Sequence, residues 1–323
     1  MRSSSTATAT GLLLGYAADL CFADPRRGHP VAGFGRAVSA LQRRVYADSR
    51  PAGAVYTAAC VAGAAALGVI AERNRGPVAK NVLTAAATWA VLGGTSLRRE
   101  AGTIGGSLEA GDLAAARERL PHLCGRDPSG LDADQIARAV VESVAENTSD
   151  AVVAPLFWGA VAGIPGLLAY RAANTLDAMV GYRNERYLRF GWASARFDDV
   201  LNWIPARFTG VVTVAVAPVV GGSRREAYEA LKRDGARHPS PNAGRCEASA
   251  AGALGVRLGG TNTYGDTVEH RPVMGSGRAP GIADIRRAVE LSSAVGAVSV
   301  LAAAAAATLT AAFAASRLSA GRG

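Results

Sequence analysis

The stretch Glu142-Ser143-Val144-Ala145-Glu146-Asn147-Thr148-Ser149-Asp150 is the first dense concentration of reactive side chains in the chain. On a helix, Glu142, Glu146 and Asp150 stack on one face at four-residue spacing, with Ser143 and Asn147 beside them. Three like charges so placed repel. An arginine cluster or a hard cation relieves that repulsion, and Mg²⁺ favours one or two carboxylates together with substrate phosphate oxygens. The structural alternative is an acidic helix end turned to water.

Three more clusters follow. In Asn174-Thr175-Leu176-Asp177, directly after an apolar run, Asn174 and Asp177 share a helical face, and an ionisable residue at a membrane boundary is a functional candidate. Arg183, Asn184 and Arg186 come next; the arginines suit bidentate binding of phosphate or carboxylate, or snorkelling beside Tyr182 and Tyr187. Asp198, Asp199 and Asn202 then stand close to Arg196 and Arg207. Adjacent aspartates cannot share a helical face, so at most one pairs with Asn202 while the other caps a helix or pairs with Arg196. The last cluster is His238-Pro239-Ser240-Pro241-Asn242-Ala243-Gly244, with Glu247 after it and then Gly259-Gly260-Thr261-Asn262-Thr263-Tyr264-Gly265. Its Pro and Gly residues predict an irregular loop whose backbone N–H groups hold an anion. His238 exchanges protons near neutral pH or serves as a turn residue before proline. His29, in Asp24-Pro25-Arg26-Arg27-Gly28-His29-Pro30, carries the same two readings.

The elements that must position these groups are apolar. Of 323 residues, 49% are hydrophobic but only 6% aromatic, with much of the apolar content alanine in long uncharged runs. Such runs are unlike a water-soluble core and are long enough to span a bilayer. The runs 51–71, 151–170 and 291–316 qualify, and 81–97, 208–223 and an N-terminal run at 3–18 are shorter, which predicts five or six spans. The N-terminal run enters Asp19 without a small-residue cleavage pattern, so an uncleaved first span is expected. Polar connections at 24–50, 98–150, 171–207 and 224–290 are long enough to hold function. Within the second, Asp132 and Gln135 form an N-capping pair, with Ile136, Val140 and Val144 at helical spacing. Gly159, Gly163, Pro165 and Gly166 predict a broken or re-entrant helix in the run at 151–170, and a second non-crossing segment at 208–223, with Pro218 and Gly221, would keep the topology in parity. The fold class is therefore an all-α polytopic membrane protein, a single domain with partly helical polar connections.

Composition also excludes. The formal charge is +9, and Lys80 and Lys232 are the only lysines among 35 basic residues. Arginine is spread over every connection, which suits juxtamembrane loops, anionic headgroups and phosphorylated substrates and disfavours nucleic acid. Cys21, Cys60, Cys124 and Cys246 lie too far apart for a zinc pattern, and Cys21 and Cys60 read as small buried hydrophobes. No phosphate-binding loop, dinucleotide fingerprint, serine-hydrolase elbow or zinc-protease helix is present in the sequence.

In order along the chain, Asp24-Pro25-Arg26 with His29-Pro30, Glu142-Ser143-Val144-Ala145-Glu146-Asn147, Ser149-Asp150, Ala154-Pro155-Leu156-Phe157, Asn174-Thr175-Leu176-Asp177, Met179-Val180-Gly181-Tyr182, Asn184-Glu185-Arg186-Tyr187, residues 191–207, His238, Ser240-Pro241-Asn242-Ala243-Gly244 and Asn262-Thr263-Tyr264 resemble the CobD/CbiB family of cobalamin biosynthesis, the membrane-bound adenosylcobinamide-phosphate synthases. The resemblance runs from about residue 14 to about 280. Arg245-Cys246 departs from the bulky residue and proline expected there, as does Gly265 directly after Tyr264.

The resemblance implies ATP-dependent joining of an adenosylcobyric acid carboxyl to aminopropanol or its phosphate, with Mg²⁺. It implies Glu142, Glu146, Asp177 and His238 as catalytic residues, His238 as the base, and Asp150, Asp198 and Asp199 as magnesium ligands. Arg26, His29, Asn147, Asn174, Arg183, Asn184, Arg186, Asn202, Arg207, Asn242 and Asn262 are the expected substrate or phosphate contacts. The partners implied are the corrinoid, the amine, the bilayer and other enzymes of the pathway; the location is the cell membrane, active face to the cytoplasm. Two rival readings are a transporter and a non-catalytic membrane partner of a soluble enzyme. The first is disfavoured because polar residues gather between the apolar runs and no internal symmetry is visible.

Overall fold

The structure, a computed structural model, describes residues 2–25, 28–264 and 267–320; for 2–5, 262–264, 267–269 and 310–320 it describes the backbone alone. The elements in chain order are helices α1 (Arg2–Phe22), α2 (Pro30–Val45), α3 (Arg50–Glu72), α4 (Pro77–Val91), α5 (Gly94–Glu109), α6 (Leu113–Arg119), α7 (Ala133–Thr148), α8 (Ala154–Val180), α9 (Trp192–Leu201), α10 (Trp203–Val216), α11 (Arg224–Asp234) and α12 (Ala243–Leu254). A hairpin of β1 (Leu258–Tyr264) and β2 (Thr267–Met274) precedes the last helix, α13 (Ile282–Ala320). The chain is an all-α polytopic membrane protein with one small antiparallel hairpin. Among the described residues, four helical stretches are long and apolar enough to cross a membrane: Arg50–Glu72, Ala133–Val180, Trp203–Val220 and Ile282–Leu309.

The other two apolar runs form α1 and α4. With 15 residues α4 is about 22 Å long, less than the ~30 Å of a hydrocarbon core. These helices pack on each other through small residues: a Cβ added at Gly11 would lie 2.5 Å from Thr84 Cβ, and one at Gly15 2.4 Å from Thr88 Cβ. Small side chains at four-residue spacing on both helices permit that approach.

The chain forms two compact units whose segments alternate along the sequence, Met1–Gly93 with Ala154–Leu201 and Ser299–Gly323, and Gly94–Val153 with Asn202–Val298. The first has its aromatic core at Tyr56 and Phe190, packed with Val38, Leu176 and Val180. Its helix α8 is broken at Gly163, which has φ 64°. Glu72 fills the break by accepting the Ile164 N–H at 2.9 Å. The interruption expected from glycine and proline in this run is thus present, and a carboxylate satisfies the backbone it frees.

In the second unit, α5, α7, α12 and the start of α13 share a core that includes Ile104, Ile136, Val140, Leu254 and Ile285. Asp132 and Gln135 form the reciprocal capping box anticipated for α7. Two features differ from expectation. Residues 149–153 form a π-helical turn where a regular helix was expected. The segment expected as an irregular loop is the paired strand β1, whose register breaks at a bulge between Leu258 and Gly260. Gly259 and Gly260 have φ of +86° and +92°, so the glycines that suggested a loop make a bulge, while Thr261 and Thr263 extend as strand residues. Cys60 is buried as expected, but Cys21 lies on the exposed face of α1.

Candidate functional site

The second unit concentrates charge on α7 and α12. Helix α12, Ala243-Gly244-Arg245-Cys246-Glu247-Ala248-Ser249-Ala250-Ala251-Gly252-Ala253-Leu254, is nearly all small residues and almost entirely buried. Small residues admit close neighbours: a Cβ at Gly252 would meet Ala227 Cα at 2.6 Å, and one at Gly244 would meet His238 Cβ at 2.5 Å. Glu247 is carried into the interior on this helix, with its side chain 1% exposed. Neither of its carboxylate oxygens has a hydrogen-bond partner among the described residues. Burial pushes this carboxyl well above the ordinary glutamate range, Glu142 and Glu146 add to the shift, and Arg271 and Arg126 oppose it.

Glu142 itself is satisfied. It pairs with the buried Arg126 through Oε2 and accepts the Gly259 N–H through Oε1 at 2.6 Å. Arg138, one turn back, donates to the carbonyls of Gly259 (2.7 Å) and Thr261 (2.9 Å). The glycine bulge of β1 is therefore what α7 grips, since the backbone must come close to a helix there. Three carboxylates (Glu142, Glu146, Glu247) thus face two guanidiniums (Arg126, Arg271), and one proton on Glu247 makes the group neutral.

His238 closes the other side of Glu247. Its Nδ1 accepts the Ser240 N–H at 3.0 Å, so the neutral ring carries its proton on Nε2. That nitrogen lies 4.0 Å from Glu247 Oε1, and the histidine side chain is 5% exposed. Asn242 is buried at the start of α12, and Ser240 Oγ accepts its backbone N–H at 3.3 Å. Asn147 donates to the Ser143 carbonyl (2.9 Å) and hydroxyl (3.2 Å). Asp150, in the π turn, lies beside Cys246, whose thiol is pushed up by burial and then by that carboxylate. Arg207 stacks on Trp203 of its own helix, 4.0 Å from the ring centroid, and Asn202 is buried at the start of α10. Asn262 has its backbone in β1, and its side chain lies outside the described residues.

The remaining expected residues belong to the first unit. Arg171 donates to the last carbonyl of α4, Val91, at 2.7 Å and to Asn174 Oδ1 at 3.2 Å. Asn174 Nδ2 in turn donates to the buried Asp198 at 3.4 Å. Asp199 pairs with Arg196 at 3.4 Å, so the adjacent aspartates part as helical geometry requires. Burial raises the Asp199 carboxyl, with Arg196 and then Arg183 opposing. Asp177 sits over Gly181, where an added Cβ would fall 1.9 Å from its Oδ1. Asn184 accepts the Tyr187 N–H at 3.0 Å, and Arg186 lies over the rings of Tyr46 and Tyr187. His29 is the N-cap of α2, its Nδ1 accepting the Val31 N–H at 3.1 Å and its Nε2 lying 3.6 Å from Asp24. Arg26 lies outside the described residues.

Among the described residues no group of three or more His, Cys, Asp or Glu side chains is disposed to hold a metal ion. The acidic groups offer at most a supplement to ligands that arrive with a substrate, the way Mg²⁺ is held beside phosphates. Glu247, Arg126 and Arg271 were not among the residues expected to act. Glu247 stands in the right sequence cluster, but the signal that singles it out is burial without a partner, which no spacing rule reveals.

The sequence model of one family, described as CobD/Cbib protein, matches residues 12–292. A protein named cobalamin biosynthesis protein CobD from Mycobacterium tuberculosis (strain CDC 1551 / Oshkosh) is 54% identical over 289 residues, covering 90% of this chain and 92% of its own. Proteins of the same name from Pelobacter propionicus and Geobacter metallireducens are 45% and 44% identical, covering 82% and 87% of this chain and 84% and 89% of theirs. No solved structure matches the chain.

Proposed function

The chain belongs to the CobD/CbiB family and takes part in cobalamin biosynthesis, and from that premise we propose that it joins adenosylcobyric acid to aminopropanol or its phosphate by ATP-dependent amide formation. The observation that carries this reading is Glu247, a buried carboxyl without a hydrogen-bond partner, among Glu142, Glu146, Arg126, Arg271 and His238. A carboxylate is a poor acyl donor. Transfer of a phosphoryl group from ATP makes an acyl phosphate; the amine nitrogen then attacks the carbonyl carbon, and phosphate departs with the electrons of the C–O bond. The ammonium form of the amine loses two protons, one before it attacks and one after. Glu247 in its ionised form is suited to take the first, because a carboxyl raised above its ordinary range has a proton affinity nearer the working pH, and the departing phosphate takes the second.

In this reading Glu146 holds the substrate ammonium beside Glu247. Arg126 is fixed by Glu142, and Arg271 meets the anionic carboxyl or phosphoryl group. His238, with its proton on Nε2, acts as a donor to the oxygen that gains charge in the transition state, not as the base first expected of it. Magnesium brought by the nucleotide would be held mainly by its phosphates, with Glu142, Glu146 or Glu247 as a supplement, and would supply charge neutralisation there. Asp177, Asp198 and Asp199 remain candidates for binding magnesium or the amine. ATP as co-substrate places the active face on the cytoplasmic side of the cell membrane.

The test is direct. Detergent-purified protein is given adenosylcobyric acid, Mg-ATP and either aminopropanol or its phosphate, and amide product is sought by mass spectrometry. Product with one of the two amines is expected; none with either removes the ligase reading.

A further inference from the structure

The first unit carries a feature that amide formation does not use. Helix α3 turns one face, at Ala54, Ala58, Ala62 and Ala65, toward Trp192, Phe197 and Val200 of α9, and an open apolar groove of about 990 Å³ runs between the two helices. Its floor is alanine, so it is shallow-walled and continuous. From residue 54 to 65 the groove is about 16 Å long at 1.5 Å per residue, close to the depth of one leaflet of a ~30 Å hydrocarbon core. Helix α3 is itself one of the stretches long and apolar enough to cross a membrane.

At the end where α3 begins, the groove meets a second, polar opening, and Trp192 and Arg196 line both. This opening gathers Arg50, Arg183, Arg189 and Arg196 around a single acid, Asp48. Two of the four are partly compensated, Arg189 by Asp48 at 3.8 Å and Arg196 by Asp199 at 3.4 Å. The local balance stays positive. Arg50 lies over the Trp192 ring, 5.3 Å from its centroid, and Trp192 is 42% exposed, as expected of an aromatic residue at headgroup depth.

A basic mouth continuous with an apolar groove one leaflet deep matches one ligand chemistry. We propose that this is a binding site for a single anionic phospholipid, its phosphate among Arg50, Arg189 and Arg196 and one acyl chain along the alanine face of α3. A free phosphate would use the arginines and leave the groove without a role. A zwitterionic lipid would fill the groove and gain little from the arginines. The proposal does not rest on the ligase reading: none of the three arginines that hold the phosphate is assigned to that chemistry, although Arg183, expected there as a phosphate contact, lines the same mouth.

The full chain in detergent is titrated with phosphatidylglycerol and with phosphatidylcholine of the same acyl chains, and bound lipid is read by native mass spectrometry. An arginine facing an anionic headgroup is worth roughly a fivefold change in affinity. The variant carrying R50Q, R189Q and R196Q should therefore bind phosphatidylglycerol about 100-fold more weakly and lose the preference over phosphatidylcholine. Ala58→Trp, which fills the groove and leaves the arginines intact, should also lose phosphatidylglycerol. Equal affinity of the unmodified chain for the two lipids overturns the proposal, as does unchanged binding in both variants. Glycerol phosphate competing as effectively as the intact lipid also overturns it, and makes the mouth a free-anion site. The headgroup comparison needs only the unmodified chain, so it decides the matter even where a variant fails to fold.

Discussion

Each of the two units contains a His-Pro pair that folds in the same way. In the first, His29 Nδ1 accepts the N–H of Val31 and Nε2 lies 3.6 Å from Asp24; in the second, His238 Nδ1 accepts the N–H of Ser240 and Nε2 lies 4.0 Å from Glu247. Proline fixes the chain so that the histidine ring can reach the amide two residues on. The local device is shared, and its surroundings are not. Asp24 and His29 are about a quarter exposed, and their pair opens a helix at its N-cap. Glu247 and His238 are almost wholly buried, and two further carboxylates crowd Glu247. The same dipeptide can therefore be a helix start in one place and part of a reactive cluster in another, and burial separates the two.

The largest effect expected from this contrast is on turnover. Glu247→Gln keeps the shape and removes proton acceptance, so amide formation should fall about 10²–10⁴-fold, the range of general acid–base contributions. Asp24→Asn, the same change beside the other histidine, should cost less than about tenfold by that comparison. Product measured by mass spectrometry under saturating substrate checks both. Equal losses would erase the distinction between the units.

Next is stability. Glu142→Ala removes the carboxylate paired directly with the buried Arg126, and breaking one side of a buried pair costs about 3–5 kcal/mol. It also frees the Gly259 N–H, so β1 should loosen first. Asp24→Ala removes a partner that is about a quarter exposed and should cost about 1 kcal/mol or less. Thermal unfolding in detergent, with hydrogen exchange across residues 256–262, reads the two outcomes. A small effect at Glu142 would mean that water reaches Arg126.

The raised carboxyl of Glu247 also predicts a pH dependence of definite sign. Above the ordinary glutamate range the unfolded chain has released this proton and the folded chain still holds it, so the folded state binds more protons. Stability from this group is then present at low pH and falls as pH rises toward the folded pKa, by up to about 1.4 kcal/mol per unit. Glu247→Gln cannot release the proton. Its melting temperature should exceed that of the unmodified chain by a margin that widens with rising pH from about 4.5 upward, and a margin that stays constant would show that the carboxyl is not perturbed.

Local signals in the sequence translated well into structure, because their causes are local. Asp132 and Gln135 cap α7 through bonds three residues apart, and Gly163 with Pro165 breaks α8 within its own turn. What spacing could not show was which distant residues meet. Glu142 and Glu146 were legible as a helical face; Glu247, a hundred residues on, joins them only because α12 is small enough to bury beside α7. Asp198 likewise meets Asn174 of α8, a residue 24 positions earlier that no local spacing marks as its partner.

The smallest effect tests the histidine that this comparison treats as structural. His29→Ala removes the side chain that accepts the Val31 N–H at the start of α2, and loss of such a cap costs about 1 kcal/mol. Asparagine is itself a favoured N-cap, so His29→Asn should restore most of that stability. If His29 serves only the helix, the asparagine variant also keeps amide formation within about threefold, a change of under 1 kcal/mol in the barrier. If the ring binds substrate, as its place in the sequence motif first suggested, asparagine rescues the melting temperature and leaves the Michaelis constant raised. The split between those two readouts decides whether the exposed His-Pro pair shares the function of the buried one or only its fold.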